Sequence, residues 1–199
     1  MTYDEIVARR RALRIDGYLT LADVGFDGDW VTPYQKASCS PDGPVLVAYN
    51  WLDAPSVETN RVILEECGFL PDIMFNNVLD KALAICGIRR RDLYITQAFH
   101  LLPNRRSGSI SARDIDKSFE AITRHELVGR RVIALGTDAA AACLRHSVRH
   151  TAVRHPSARG PGLTHDAKAR ELARAISEVL PFATPAVAAF ESYAMHPSV

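Results

Sequence analysis

Polar side chains follow several short apolar runs of this sequence, and they are the residues best suited to chemistry. Asn50, Gln97 and His155 each come directly after such a run. A neutral imidazole can donate a hydrogen bond to a developing anion without carrying a full positive charge. Each amide offers a donor and an acceptor, although an amide is too weak a base to deprotonate water. The three side chains could therefore hold a polar ligand, position a water molecule and stabilise developing negative charge.

The apolar runs are predicted to be the strands of one sheet. These strands are residues 45–48, 93–96, 132–135 and, more weakly, 151–154. Helical patterns cover residues 2–15, 56–67, 72–85, 111–127, 137–145 and 164–180, and the chain from Pro181 onward is expected to dock loosely. Because parallel neighbours need a crossover connection, usually helical, this alternation predicts a three-layer α/β/α fold. We expect a central, mainly parallel four-stranded sheet in a single domain spanning residues 1–199.

Ligands of such open sheets bind beyond the carboxyl ends of the strands. The segments expected at this edge are residues 49–51, 97–100, 136–138 and 155–159. Asp72 and Ser111 are predicted to cap the helices that follow them, and Thr137 or Asp138 to cap the helix after Gly136. A phosphate could lie at the start of that last helix.

The charge of the chain is balanced overall but unevenly distributed. The formal net charge is +1, with 47% hydrophobic and 24% charged residues, which excludes an acidic disordered chain. Residues 89–159, however, carry 14 Lys and Arg against 6 Asp and Glu. A basic surface on a neutral protein suits a polyanion such as nucleic acid.

Several classes of protein are disfavoured by what the sequence lacks. No apolar run approaches the roughly 18 residues of a membrane span, and the charged start lacks a signal-peptide core. The four cysteines match no zinc or iron–sulfur spacing, and neither a Walker loop nor a Gly-x-Gly-x-x-Gly motif follows the first strand. We therefore expect a cytoplasmic monomer that uses no metal and no cofactor.

Three blocks occur in an order found in a known superfamily. They are HPSAR at 155–159, DKALAICGIRRRDLYITQAFHLLPNRR at 80–106 and VIALGTDAAAACL at 132–144. Together they resemble the uracil-DNA glycosylase superfamily over residues 44–160. The chain departs from the superfamily pattern at the first motif, where Ala48-Tyr49-Asn50-Trp51 replaces Gly-x-Asp-Pro or Gly-x-Asn-Pro, and Gln97 replaces the base-recognition Asn. The iron–sulfur branch has a Cys soon after the position of Gln97, where this chain has His100 and Leu101, so no cluster is expected.

The resemblance implies a metal-free enzyme that flips uracil out of single- or double-stranded DNA and hydrolyses its N-glycosidic bond, initiating base excision repair. Its implied catalytic residues are His155, which would stabilise the anionic base, and Asn50, which would hold the attacking water. Gln97 would bind the base edge beside Tyr49, and an aromatic ring would stack on the base. For that ring we favour Phe69 over its competitor Phe75.

The resemblance also implies DNA contacts at Ser157, Thr137 and Arg159, of which Arg159 would insert into the stack or bind phosphate. Two alternatives stay open. The altered surroundings of Asn50 and Gln97 are compatible with a glycosylase for another deaminated base, hypoxanthine or xanthine. The loss of the usual Gly and Pro around Asn50 is compatible with a DNA-binding protein of this fold that has lost catalysis.

Overall fold

The architecture is a four-stranded, all-parallel sheet covered by helices on both faces. The computed structural model describes residues 1–105 and 108–180. The strands of this part of the chain are β1 (Val45–Asn50), β2 (Tyr94–Phe99), β3 (Val132–Leu135) and β4 (His150–Val153), in the order β2-β1-β3-β4. The predicted three-layer α/β/α fold is confirmed. The expected docking of residues from Pro181 onward lies outside the described residues.

Helices connect the strands and form the two outer layers. Those of the described residues are α1 (Tyr3–Ala12), α2 (Ala54–Thr59), α3 (Arg61–Cys67), α4 (Met74–Cys86), α5 (Ala112–Ser118), α6 (Arg124–Glu126), α7 (Thr137–Arg145) and α8 (His165–Val179). Short 3-10 helices cover Pro33–Lys36 and Arg90–Asp92, and a π-helical turn at Phe119–Thr123 joins α5 to α6. Throughout the described residues, each helix is too short or too polar to span a bilayer.

The strands β1, β2 and β3 are largely buried on both faces of the sheet, whereas the edge strand β4 is partly exposed. Val45, Leu46 and Val47 are all 0% exposed. Leu46 faces the layer formed by α4 and α8, whereas Val45 and Val47 face the layer that contains α5 and α7. Such two-sided burial is typical of parallel strands with crossover helices.

Several boundaries differ from the predicted ones for local reasons. The helix predicted over 56–67 is two helices, because the backbone of Asn60 leaves the helical conformation. The Asn60 side-chain amide donates to the Ser56 carbonyl, which also accepts from the Asn60 backbone amide. Asp72 does not cap α4, whose N-cap is Ile73. Ser111 caps α5 as expected, by accepting from the Asp114 backbone amide.

Two further differences affect the carboxyl edge of the sheet. β2 continues to Phe99, so Gln97 lies inside the strand opposite Ala48 rather than after it. The N-cap of α7 is Gly136, and neither Thr137 nor Asp138 makes a side-chain capping bond.

A buried polar cluster supports β2 on the face opposite to α4 and α8. The Glu126 carboxyl accepts hydrogen bonds from Tyr94 Oη at 2.6 Å, Thr96 Oγ1 at 2.5 Å and Gln35 Nε2 at 3.0 Å. His100 Nε2 lies 3.8 Å from the same carboxyl and 3.0 Å from Thr123 Oγ1. Burial raises the pKa of Glu126 to about 7 and lowers the pKa of His100 to about 3.

These two shifts oppose each other in their effect on stability. The native state binds more protons at Glu126 than the unfolded state between pH 4.5 and 7, so acidification stabilises the fold there. Between pH 6.5 and 3 the unfolded state binds more protons at His100, so acidification destabilises it. Glu126→Gln removes only the first effect.

We therefore expect the Glu126→Gln variant to lose stability relative to the parent as the pH falls from 7 to 4.5. The relative loss should approach about 1.4 kcal/mol per pH unit, which is the free energy of one unit of pKa shift. Urea unfolding of both proteins at pH 8, 6.5 and 4.5 measures it, with Glu66→Gln, on the exposed face of α3, as the control. A difference between variant and parent that does not change with pH would contradict the shift at Glu126.

Candidate functional site

A cavity of about 230 Å³ opens at the carboxyl ends of β1 and β4. We call it the carboxyl-end cavity. It is lined by Tyr34, Tyr49, Asn50, Trp51, Leu52, Asp53, Ile73, Phe75, His155 and Ser157. Its volume lies below the range of roughly 300–1,000 Å³ typical of sites for drug-sized ligands. The cavity therefore suits a single small ring better than a large cofactor.

His155 is held in one tautomer on the wall of this cavity. The Ser157 backbone amide donates a hydrogen bond to His155 Nδ1 at 3.1 Å, so Nδ1 is unprotonated and Nε2 carries the proton. Burial lowers the pKa of His155, and the positive charge of Lys168 lowers it further. The residue is thus a neutral imidazole whose Nε2–H group can donate a hydrogen bond to a ligand.

Gly136 allows the turn between β3 and α7 to approach His155 closely. Its φ is +90°, and a Cβ built on it would lie 2.9 Å from His155 Cβ. An L side chain here would be strained and would push the imidazole. Glycine at 136 thus leaves room for the His155 side chain.

A second cavity of about 430 Å³ lies on the other side of His155, at the amino end of α7. Its lining consists of Gly136, Thr137, Ala140, Ala152, Val153, Arg154, His155, Ala158 and Glu171. The first backbone amides of α7 have no side-chain cap, and such amides favour an anion. His155 therefore lines both the carboxyl-end cavity and the second cavity, where the first backbone amides of α7 are available as donors.

Lys168 holds the segment that carries His155. This buried residue of α8 donates from Nζ to the Ala158 carbonyl at 3.1 Å and contacts Met74 Sδ at the same distance. Lys168 could not be identified from the sequence, because a lysine on an amphipathic helix is expected at the surface.

Asn50 ends β1 and lines the carboxyl-end cavity. Its side-chain amide forms no hydrogen bond to any described residue. An amide without internal partners can bind a ligand or a water molecule without losing a protein contact. Tyr49 lines the same cavity, and its hydroxyl accepts from the Ile110 backbone amide at 3.2 Å.

Asp53 is the most unusual side chain of the cavity, and the sequence alone does not single it out. The residue is 5% exposed, and within the described part of the chain its Oδ1 is buried without a hydrogen-bond partner. An aspartate before Ala54-Pro55 is typical of a helix cap, yet its side chain makes no capping bond to α2. A buried carboxylate oxygen without a donor is costly, which is a feature of functional sites.

The two candidate stacking rings occupy different surroundings. Phe75 is 4% exposed and lines the cavity, with its ring centroid 5.6 Å from that of His155. Phe69 does not line the cavity; the Arg90 guanidinium covers it, 3.9 Å from the ring centroid. The geometry thus favours Phe75, the competitor, over the preferred Phe69.

Gln97 is close to the site but turned to an internal partner. It is 2% exposed, and its Oε1 accepts from Thr32 Oγ1 at 3.0 Å. It does not line the carboxyl-end cavity. One of the two lone pairs of this oxygen is therefore already used by the Thr32 hydroxyl.

The residues expected to contact DNA are partly brought together. Ser157 lines the carboxyl-end cavity, Thr137 lines the second cavity, and Arg159 is exposed beyond Ala158. The run Arg89-Arg90-Arg91 precedes β2 and so lies at the opposite, amino end of the parallel sheet. The basic segment 89–159 is therefore divided between the two ends of the sheet.

Comparison with known proteins adds no assignment. The chain matches no protein-family model and no curated protein. Within the described residues, no group of three His, Cys, Asp or Glu side chains is placed to hold a metal ion.

Proposed function

We propose that this protein is a DNA glycosylase that hydrolyses the N-glycosidic bond of uracil. The observation that carries the proposal is the grouping of a neutral histidine, an unpartnered carboxylate and a buried aromatic ring around one ring-sized cavity. His155, Asp53 and Phe75 supply these groups. The motif order of the superfamily that the sequence resembles supplies the substrate class.

The chemistry needs stabilisation at two centres. Cleavage of the bond between C1′ and the base nitrogen leaves an oxocarbenium-like sugar and an anionic base. The Nε2–H of His155 donates to the base oxygen, where negative charge develops. Because the lowered pKa keeps this imidazole neutral, it stabilises the anion as a hydrogen-bond donor, as neutral histidine does in some other enzymes.

Water completes the reaction at the sugar. The water oxygen bonds to C1′ as the C–N bond breaks, and one water proton passes to the Asp53 carboxylate. The Asn50 amide orients that water, since an amide can accept its hydrogen bond but cannot take its proton. The released base takes up a proton from solvent, and the Asp53 proton returns to solvent.

A substrate panel tests the proposal. The full chain is incubated with end-labelled single-stranded oligonucleotides that carry one central uracil, hypoxanthine, xanthine or thymine, and alkali then cleaves at abasic sites. We expect cleavage of the uracil strand alone. Cleavage at hypoxanthine or xanthine without uracil would replace the substrate, and salt-dependent DNA binding without any cleavage would make the protein a non-catalytic binder.

The choice of stacking ring gives a separate prediction. Phe75→Leu keeps apolar volume but removes the π face, and base–aromatic stacking is worth about 1–3 kcal/mol. We expect its rate at low uracil-DNA concentration to fall roughly 5- to 160-fold. Phe69→Leu is the matched control and should keep the parental rate, because the Phe69 ring does not line the cavity and is covered by Arg90. The opposite result would make Phe69 the stacking residue.

A further inference from the structure

A basic cavity, separate from the two around His155, lies at the amino ends of β3 and β4, at the opposite end of the sheet. Its volume is about 330 Å³, and we call it the amino-end cavity. Arg130, Arg131, Val132, Arg149, His150, Thr151 and Val179 line it. No carboxylate is among these described lining residues, and the volume falls in the range of small-ligand sites.

Two of its arginines lie at the same end of neighbouring strands. Val132 pairs with His150 at the start of the parallel β3 and β4, and Arg131 and Arg149 each come one residue earlier and line the same cavity. Both are exposed, and neither forms a salt bridge with a described residue. Like charges opposite each other on neighbouring strands are destabilising, and an anion bound between them would offset that cost.

Arg130 gives this cavity a fixed wall. Its Nη2 donates to the Ser40 carbonyl at 2.6 Å and to the Gly43 carbonyl at 3.1 Å. Its guanidinium also lies 4.3 Å from the centroid of the Tyr94 ring. A guanidinium held in place loses little side-chain entropy when it binds an anion, so this charge is preorganised.

His150 is oriented in the same way. Its Nδ1 lies 2.8 Å from the Val148 carbonyl oxygen, so Nδ1 carries a proton and donates it.

The acidic groups near Arg130 are the exposed Asp42 and the buried Glu126, and neither lines the cavity.

A concave surface next to the amino-end cavity also contains basic residues, but acidic side chains neutralise part of its positive charge. It shares Arg130 and Arg149 and also contains Arg124 and His146. Arg124 is already paired with Glu120, and His146 lies within 3.4 Å of Asp116. The uncompensated charge is therefore concentrated at Arg131 and Arg149.

We propose that the amino-end cavity binds the phosphate groups of a small polyphosphate ligand. Arg131 and Arg149 bind the phosphate oxygens, each guanidinium presenting two donors in the planar geometry that phosphate accepts. Arg130 supplies a third, fixed charge. This site is independent of the proposed glycosylase activity, because it uses none of the residues around the carboxyl-end cavity.

Calorimetric titration of the full chain with pyrophosphate tests this site. We expect saturable binding that the double variant Arg131→Gln/Arg149→Gln weakens at least tenfold. The control Arg113→Gln/Arg170→Gln removes two exposed arginines elsewhere and should keep the parental affinity. Equal weakening in both double variants would reduce the effect to net charge and overturn the proposal.

Thermal unfolding gives a second readout. Pyrophosphate should raise the Tm of the parent but not that of Arg131→Gln/Arg149→Gln. Without ligand, that variant should melt at or above the parental Tm, because repulsion between the two charges is removed. Absence of pyrophosphate binding to the parent would overturn the proposal. Loss of undamaged single-stranded DNA binding in Arg131→Gln/Arg149→Gln would then assign the two arginines to a nucleic-acid surface.

Discussion

Replacing His155 with alanine should lower the rate of uracil release about 10²- to 10³-fold. This is the typical loss when one donor aimed at a developing anion is removed. The residue is half-buried and its Nδ1 accepts only from the nearby Ser157 amide, so the fold should survive the change. Single-turnover base release measures the effect, and circular dichroism checks the fold.

The control for this variant is His165→Ala, which alters an exposed histidine at the start of α8 and should keep the parental rate. The pH dependence adds a second check. Because the pKa of His155 is lowered, the imidazole should stay neutral as the pH falls to 6.5, and its protonation should not reduce the rate above that pH. Parental activity in His155→Ala would remove the imidazole from the mechanism.

Asp53→Asn should combine a large loss of activity with no loss of stability. General-base catalysis contributes typically 10²- to 10⁴-fold, and we expect the rate of base release to fall by about that factor. The buried Oδ1 has no described hydrogen-bond partner, so replacing the carboxylate with an amide of the same shape breaks no hydrogen bond at that atom. The free energy of urea unfolding should be unchanged or higher.

The matched control is Asp72→Asn, an exposed aspartate just before α4 that should change neither activity nor stability. Stability and activity that fall together in Asp53→Asn would indicate a structural role for this carboxylate. Full activity with raised stability would leave water activation to another group.

Much of the fold follows from local pattern. The strand at residues 45–48 could be assigned because it is a short, continuous apolar run bounded by Pro44 and Asn50, and the alternation of strand and helix patterns favours a parallel sheet. The helix break at Asn60 could not be predicted, because it depends on one side chain competing for the Ser56 carbonyl. The end of β2 was placed three residues early, because the polar Gln97 suggested a strand end although it is buried.

The candidate site was only partly accessible from sequence. Asn50 and His155 stand out because each follows a predicted strand; the structure extends β1 to Asn50 and brings both residues to one cavity. The order of residues along the chain could not distinguish Phe69 from Phe75, since only the folded structure shows that Phe75 lines the cavity and that Arg90 covers Phe69. Asp53 has the sequence context of a helix cap, and only its missing hydrogen bonds distinguish it from one.

The most direct test of the proposed function is to count both products of one reaction. The full chain, in excess over a single-stranded oligonucleotide with one uracil, is incubated for a single turnover, and free uracil and abasic sites are quantified in the same sample. We expect equal amounts of the two products, each approaching one per uracil. Intact DNA without free uracil, under conditions in which the protein binds that DNA, would contradict the assignment as a uracil-DNA glycosylase.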